Sequence, residues 1–336
     1  VISPYEKIIN LGIGQKQLVE IAKALARKAK ILILDEPTAA LTNKEVEILL
    51  NIIRGLREKG ITCIYISHRL DEVIRVADSV TVLRDGKTVG TSKVRDITKN
   101  EIIAMMVGRE LRSLFPREKH TRGELVLEVQ DFSVQDPDLP DRQLVKKASI
   151  KAYRGEILGV AGLMGAGRTE LFSSIFGTFP SANSGKIFLS GKEVRITNSH
   201  DALKHGIFLV TEDRKRYGLV LGMDVKENTT LASLHAVSKA GVIDSGAEIH
   251  ETEELVKTLN TKTPSVESRV NTLSGGNQQK VVIQKALLTG PEVLILDEPT
   301  RGIDVGAKYE MYKIMNQLVA KGVVLIMISS EMEEIL

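Results

Sequence analysis

Two carboxylate pairs, Asp35-Glu36 and Asp297-Glu298, stand at the ends of the apolar runs Ile31-Leu32-Ile33-Leu34 and Val293-Leu294-Ile295-Leu296, and each continues into Pro-Thr. An apolar run that stops abruptly in acids reads as a buried parallel strand delivering carboxylates to its C-terminal edge, where open α/β sheets bind ligands. A second kind of chemistry lies in Gly162-Leu163-Met164-Gly165-Ala166-Gly167-Arg168-Thr169, which follows the strand-like run Glu156 to Ala161 and precedes a helix expected from Glu170. Strand, glycine loop, helix is the context in which backbone N–H groups and a helix N-terminus hold phosphate.

The elements that must position these groups can be read along the chain. Gly12 and Gly14 predict a tight turn, after which Leu18, Ile21, Ala22 and Leu25 recur at helical spacing. An amphipathic helix is expected over Lys44 to Glu58, closed by Gly60, then a second buried strand from Ile61 to Ser67 ending at His68. Val80 to Leu83, a turn at Asp85-Gly86 and Thr88-Val89 read as a hairpin. The mixed-sign stretch Arg117-Glu118-Lys119-His120-Thr121-Arg122-Gly123-Glu124 reads as a solvated linker rather than a membrane-binding patch. Beyond it, strands are expected at Leu125 to Val129, Lys186 to Leu189, Ile207 to Val210 and Val323 to Ile328, with a mainly helical subdomain over Val225 to Thr261.

The length of 336 residues suits two domains, each able to bury a core. A formal net charge of +3 gives no broad electrostatic footprint for nucleic acid. The one cysteine, Cys63, reads as a core thiol and excludes an internal disulfide. No apolar stretch reaches the roughly eighteen residues of a membrane span. With Val1 in place of an initiator Met, and an end just past Glu331-Met332-Glu333-Glu334, the sequence reads as a fragment.

The two acidic strands belong to a longer repeat. Asp297 lies 262 positions after Asp35, Leu273 the same distance after Leu11, and Ser330 falls opposite His68. An ungapped match with about a third of positions identical indicates tandem duplication of one domain type, the first copy lacking its front half. The domains expected are residues 1–108 and 125–336, joined by a linker over 109–124.

Leu273-Ser274-Gly275-Gly276 followed by Gln278-Gln279 resembles the signature loop of ATP-binding cassette (ABC) ATPases. The acidic strand resembles their Walker B motif, and Arg301-Gly302-Ile303-Asp304 their D-loop. Val19 to Leu25, Tyr65 to Glu72, Met106-Val107-Gly108-Arg109-Glu110 and Gly306 to Glu310 are most similar to the two-cassette ATPases of bacterial monosaccharide importers. The xylose type is nearest, with ribose and galactose types close behind. This resemblance implies an α/β fold of tandem P-loop NTPase domains, each with a mixed sheet core and a helical subdomain.

It also implies roles. ATP and Mg²⁺ are the expected ligands. Gly162, Gly165, Ala166, Gly167 and Arg168 would cradle phosphate, with the Thr169 hydroxyl on the metal. Asp35 and Asp297 would support that metal through water, since Mg²⁺ keeps several waters. Glu36 and Glu298 would polarise the attacking water, and His68 would contact the γ-phosphate. Ser274, Gly275, Gly276 and Gln278 would close on nucleotide held by the other copy. Glu212 stands where the family's Q-loop carries Gln, and Glu212 to Gly218 is the stretch expected to press on the coupling helix of a membrane permease.

The two composite sites implied are unequal. Site one combines Glu36, His68 and the intact Leu273 to Gln279 signature. Site two has Arg168 where Lys is usual, Glu212, Ser330 where His is usual, and a facing Leu11-Gly12-Ile13-Gly14 without the signature serine. Site one is therefore expected to hydrolyse ATP and site two to bind it with poor turnover, while the fragment by itself would show negligible turnover. The partners implied are permease subunits and, indirectly, a sugar-binding protein, with peripheral attachment at the cytoplasmic face of the bacterial inner membrane. A soluble twin-cassette ATPase acting on ribosomes or DNA is the alternative; the short linker and slight charge weigh against it.

Overall fold

The apolar periodicities become elements close to where residue types place them. The structure, a computed structural model, describes residues 3–336 except 27–28, 39–40, 42, 85, 109–114, 117, 140, 163–164 and 181–182. Asp85 of the expected turn, Arg117 and the start of the expected linker, and Leu163-Met164 of the glycine loop lie outside the described residues. The chain forms two units, Val1–Arg112 and Ser113–Leu336, so their boundary falls inside the expected linker.

The first unit contains α1 (Ile13–Ala26), β1 (Ile31–Asp35), α2 (Asn43–Glu58), β2 (Thr62–Ile66), α3 (Leu70–Val76), β3 (Ser79–Arg84), β4 (Lys87–Lys93) and α4 (Lys99–Val107). Helix α1 begins at Ile13, so Gly14, expected in a tight turn, is helical instead. Helix α2 stops where Gly60 takes φ +76°, with the Ile61 N–H donating to the Leu56 carbonyl at 3.0 Å. Strands β1 and β2 pair in parallel, Ile31 opposite Thr62 through Asp35 opposite Ile66. Leu32 and Leu34 pack with Leu49, Leu50 and Ile53 of α2, whereas Ile31 and Ile33 on the other face are 61% and 63% exposed. Within this chain β1 and β2 are each covered on one face. Cys63 is a half-buried free thiol against this core.

The second unit runs β5 (Leu125–Gln135), β6 (Gln143–Tyr153), β7 (Ile157–Ala161), α5 (Arg168–Ile175), β8 (Asn183–Leu189), β9 (Lys192–Val194), α6 (Ser199–Lys204) and β10 (Ile207–Val210). It continues with α7 (Val225–Thr230), the minimal hairpin β11 (Ser238–Lys239) and β12 (Val242–Ile243), and α8 (Ser245–Thr258). Then come α9 (Gly275–Leu288), β13 (Val293–Asp297), α10 (Val305–Ala320), β14 (Val324–Ser329) and α11 (Met332–Ile335). Strand β6 escapes the sequence reading because Lys146-Lys147 breaks its alternation, and Lys147 takes φ +46° at a shift of register.

Strand direction is mixed between sheets: β10-β13-β14-β7 is parallel and β6-β5-β8-β9 antiparallel. Val293, Ile295, Ile326 and Ile328 pack toward the antiparallel sheet and α5, while Leu294, Leu296, Leu325 and Met327 pack toward α9 and α10. Both faces of the parallel sheet are thereby buried, as near-continuous apolar strands require. The expected linker is not simply solvated midway along its length. Phe115 meets Tyr312 edge-on at 5.4 Å, and Asn316 Nδ2 of α10 donates to the Pro116 carbonyl at 2.7 Å.

Candidate active site

Three segments of the second unit converge at the C-terminal edge of its parallel sheet: the loop after β7, the acidic end of β13 and the end of β14. Gly165 and Gly167 take φ +81° and +84°, values that favour glycine, and a Cβ on Gly167 would come within 2.6 Å of the Leu144 carbonyl oxygen. Helix α5 starts at Arg168, two residues earlier than expected, which puts Thr169 in its first turn. The loop residues Gly165 and Ala166 are exposed.

The Thr169 hydroxyl donates to Asp297 Oδ2 at 2.7 Å, and Asp297 Oδ1 is buried without a partner. Burial raises the Asp297 pKa, opposed by the Thr169 hydrogen bond and the Arg168 charge. A hydroxyl, a buried carboxylate with an unused oxygen and a neighbouring anion cradle form an oxygen donor set that fits Mg²⁺. Glu298 takes φ +48° and its pKa is likewise raised by burial, against hydrogen bonds from Ser330 and the charge of Arg168. The Arg168 guanidinium donates to the Ser329 carbonyl at 2.6 Å and lies 3.6 Å from Glu298 Oε1. Its fork thus spans from the phosphate loop to the end of β14, a reach that a compact ammonium would make differently.

In the first unit the corresponding acids are arranged otherwise. Glu36 takes φ +45°, and its Oε1 accepts from the His68 main-chain N–H at 3.1 Å. The His68 ring Nδ1 lies 2.8 Å from the same oxygen, a contact that requires Nδ1 to carry the proton. Oε2 of Glu36 is buried without a partner. The structure therefore brings Glu36 and His68 together at the ends of β1 and β2, with Asp35 beside them as the last residue of β1.

Glu212 forms an ion pair with Arg301 at the start of the expected D-loop. The negative charge that Glu212 brings to the Q-loop position therefore has a guanidinium beside it. The following stretch is a π-turn at Arg214–Gly218 rather than a wholly solvated charge run. Arg214 Nη1 donates to the Arg301 carbonyl at 3.0 Å and Nη2 to that of Gly302 at 3.3 Å, while Tyr217 stays 66% exposed.

Ser274 is the exposed N-cap of α9 and makes no capping bond; its Oγ accepts from Asn277 Nδ2 at 2.9 Å. The helix N-terminus and its serine therefore remain open to an anion. The adjacent glycines also serve packing. A Cβ on Gly276 would meet Ala307 Cβ at 2.6 Å, and one on Gly275 would meet Arg214 Nη2 at 2.7 Å. Gln278 does not face a ligand: it is 5% exposed, and its Nε2 donates to the carbonyls of Val270 and Leu273, each at 3.2 Å. Its expected place among nucleotide contacts is corrected to that of a strut under the loop. Asp304 of the D-loop caps α10, accepting from the Ala307 N–H at 2.9 Å.

Sequence reasoning missed a buried hydrogen bond that occurs in both units. Thr38 Oγ1 donates to Glu72 Oε2 at 2.6 Å, and Thr300 Oγ1 to Glu334 Oε1 at 2.7 Å. The signal was present, because Glu72 and Glu334 share the offset of 262, but an acid on a helix ordinarily reads as a solvated face.

The sequence profile of the ABC transporter family matches residues 3–39 and 145–301. Over 335 residues the chain is 58% identical to the "Xylose import ATP-binding protein XylG" of Thermoanaerobacter pseudethanolicus, covering 100% of this chain and 66% of that protein. The protein of the same name from Moorella thermoacetica matches at the same identity and coverage. The chain thus spans just under two thirds of the length of these relatives. Among solved structures, a nucleotide-free ATP-binding cassette from an ABC transporter superposes with a TM-score of 0.51 at 19% identity, covering 62% of this chain and 83% of the cassette. That likeness establishes the cassette fold.

Proposed function

The chain belongs to the ABC transporter family, and from that membership we propose that it acts as the ATP-binding and ATP-hydrolysing subunit of a bacterial importer of xylose or a closely similar monosaccharide. The observation that carries nucleotide chemistry is the Thr169–Asp297 pair beside the glycine loop, with a buried carboxylate oxygen left over for a cation. The sugar is taken from the printed names of relatives at 58% identity. Nothing in the site or in these relatives favours the ribosome- or DNA-acting reading.

Backbone N–H groups from Gly165 to Arg168 bind the phosphates of ATP at the start of α5, and Thr169 with Asp297 would hold Mg²⁺. When bound, the metal neutralises phosphate charge. In the first unit Asp35 would hold the metal. Glu36 accepts a hydrogen bond from the attacking water and aligns it for in-line displacement, and His68 holds the carboxylate through its main-chain N–H and Nδ1–H. Ser274 and the N-terminus of α9 offer an anion site open to a γ-phosphate. The second unit's site, with Arg168 and Ser330, binds nucleotide and turns it over slowly.

No helix among the described residues is long and apolar enough to cross a membrane; the chain attaches peripherally, through a permease, at the cytoplasmic face. The exposed Tyr217, with Arg216 stacked 5.1 Å from its ring, offers the contact surface for that permease. The test is ATPase activity of the full-length protein assembled with its permease, in the presence of binding proteins loaded with xylose, ribose or galactose. Stimulation by about tenfold with the xylose-loaded protein is expected. An equal response to every sugar-loaded protein, or none, would remove the sugar assignment.

A further inference from the structure

The two glutamates at the heart of the candidate sites sit on strained backbone, φ +45° for Glu36 and +48° for Glu298, which persists only where neighbours hold it. In both units the main chain does part of this: the Glu36 N–H donates to the Ile66 carbonyl at 2.9 Å and the Glu298 N–H to that of Ile328 at 3.0 Å. Two residues further on, a buried threonine does the rest. Thr38 is 1% exposed and Thr300 2%, and their acceptors Glu72 and Glu334 are 5% and 7% exposed. Those acceptors lie on α3 and α11, the helices that follow β2 and β14.

The companions of the two acceptors differ. Glu72 accepts from the Tyr65 hydroxyl at 2.6 Å and pairs with Arg69 at 2.6 Å. Glu334 instead pairs with Lys308 at 3.0 Å and accepts from Ser329 Oγ at 2.8 Å. At the offset of 262 the counterparts of Tyr65, Arg69 and Lys308 are Met327, Glu331 and Val46, so these partners were exchanged around an unchanged Thr–Glu bond. Stability alone does not call for such a bond, since buried ionic groups are commonly replaced by apolar ones without loss. What the bond adds is a second cross-link between the same two segments. In the first unit, Glu36 meets His68 at 2.8 Å and Thr38 meets Glu72 at 2.6 Å.

We propose that Thr38 and Glu72 are positioning residues, holding the Glu36 turn and the His68 segment as one unit so that the Glu36 carboxylate is set for catalysis. Thr300 and Glu334 play the same part for Glu298. This rests on the reading of Glu36 as the residue that orients water. Thr38→Val removes the hydroxyl at nearly constant shape, and Thr38→Ser keeps it.

In the full-length protein, Thr38→Val is expected to lower kcat for Mg·ATP about tenfold with KM and nucleotide affinity within about twofold, and Thr38→Ser to recover most of the loss. Should Thr38→Val fail to fold, Glu72→Gln, which retains an acceptor for both hydroxyls but loses the charge, is expected to show the same split at about threefold. Unchanged kcat whatever happens to the melting temperature, a loss carried by KM, or a Thr38→Ser variant no better than Thr38→Val overturns the proposal. Glu36→Gln is assayed alongside. If it keeps turnover, the catalytic assignment itself falls; if it abolishes turnover while Thr38→Val is silent, only the positioning role falls.

Discussion

Residues 31–38 and 293–300 are nearly the same eight letters, yet the two strands live in different surroundings. Ile33 is 63% exposed, whereas Ile295 at the equivalent place is fully buried. The carboxylates differ in step. The Glu36 side chain keeps about a third of its surface and meets an imidazole, while that of Glu298 is 10% exposed and meets a guanidinium and a serine. A strand sequence therefore specifies a direction and a pair of acids but not how dry those acids are. Dryness is set by what packs on the second face: in this chain the antiparallel sheet and α5 cover that of β13, and no described element of the first unit covers that of β1.

The sharpest way to break this comparison is at the glutamates. Glu36→Gln in the full-length protein is expected to cut steady-state ATP turnover by about 10² to 10⁴, and Glu298→Gln by no more than about threefold. The reverse ranking in a phosphate-release assay would exchange the roles of the two copies. Next in size is the apolar pair. In this 336-residue chain, Ile295→Ala is expected to destabilise its unit by about 2–5 kcal/mol and Ile33→Ala by about 0.5 kcal/mol or less, read from urea unfolding. Similar losses at both positions would mean that the outer face of β1 is covered after all.

A subtler contrast is carried by one lysine of the repeat. Lys285 of α9 is buried and donates to the Gly218 carbonyl at 2.6 Å, whereas its counterpart Lys23 on α1 is exposed. Burial pushes the Lys285 pKa down to about 8 from 10.5, so the folded state releases a proton that the unfolded state keeps between those values. Stability is therefore lowered in full below pH 8 and recovers as pH rises toward 10.5, by on the order of 3 kcal/mol. Lys285→Met should flatten that rise and Lys23→Met leave it unchanged, as measured by unfolding midpoints across the window. A rise that survives in Lys285→Met would assign it to other groups.

Much of the architecture was legible because the signals are local. Apolar runs of strand length, Gly60 closing α2, and the strand–loop–helix around Gly167 each depend on a few adjacent residues. The failures share a different cause. Gln278 reads as a ligand contact by its place beside the signature glycines, but it is buried and its Nε2 donates to the Val270 and Leu273 carbonyls beneath them. Glu212 reads as a Q-loop substitution, and its ion pair with Arg301, distant in sequence, is not visible there. Phe115 and Pro116 read as linker until Tyr312 and Asn316 receive them.

By itself, the sequence determined the duplication, the two acidic strands, the phosphate loop and the inequality of their surroundings, because each is written in residue types at fixed spacing. Only the tertiary structure decided which carboxylate oxygens stay unpaired, that Arg168 reaches the end of β14, and that Thr38 and Thr300 are each tied to a buried glutamate. The physical reason is that desolvation and hydrogen bonding depend on every atom within a few ångströms, and most of those atoms come from segments far away along the chain.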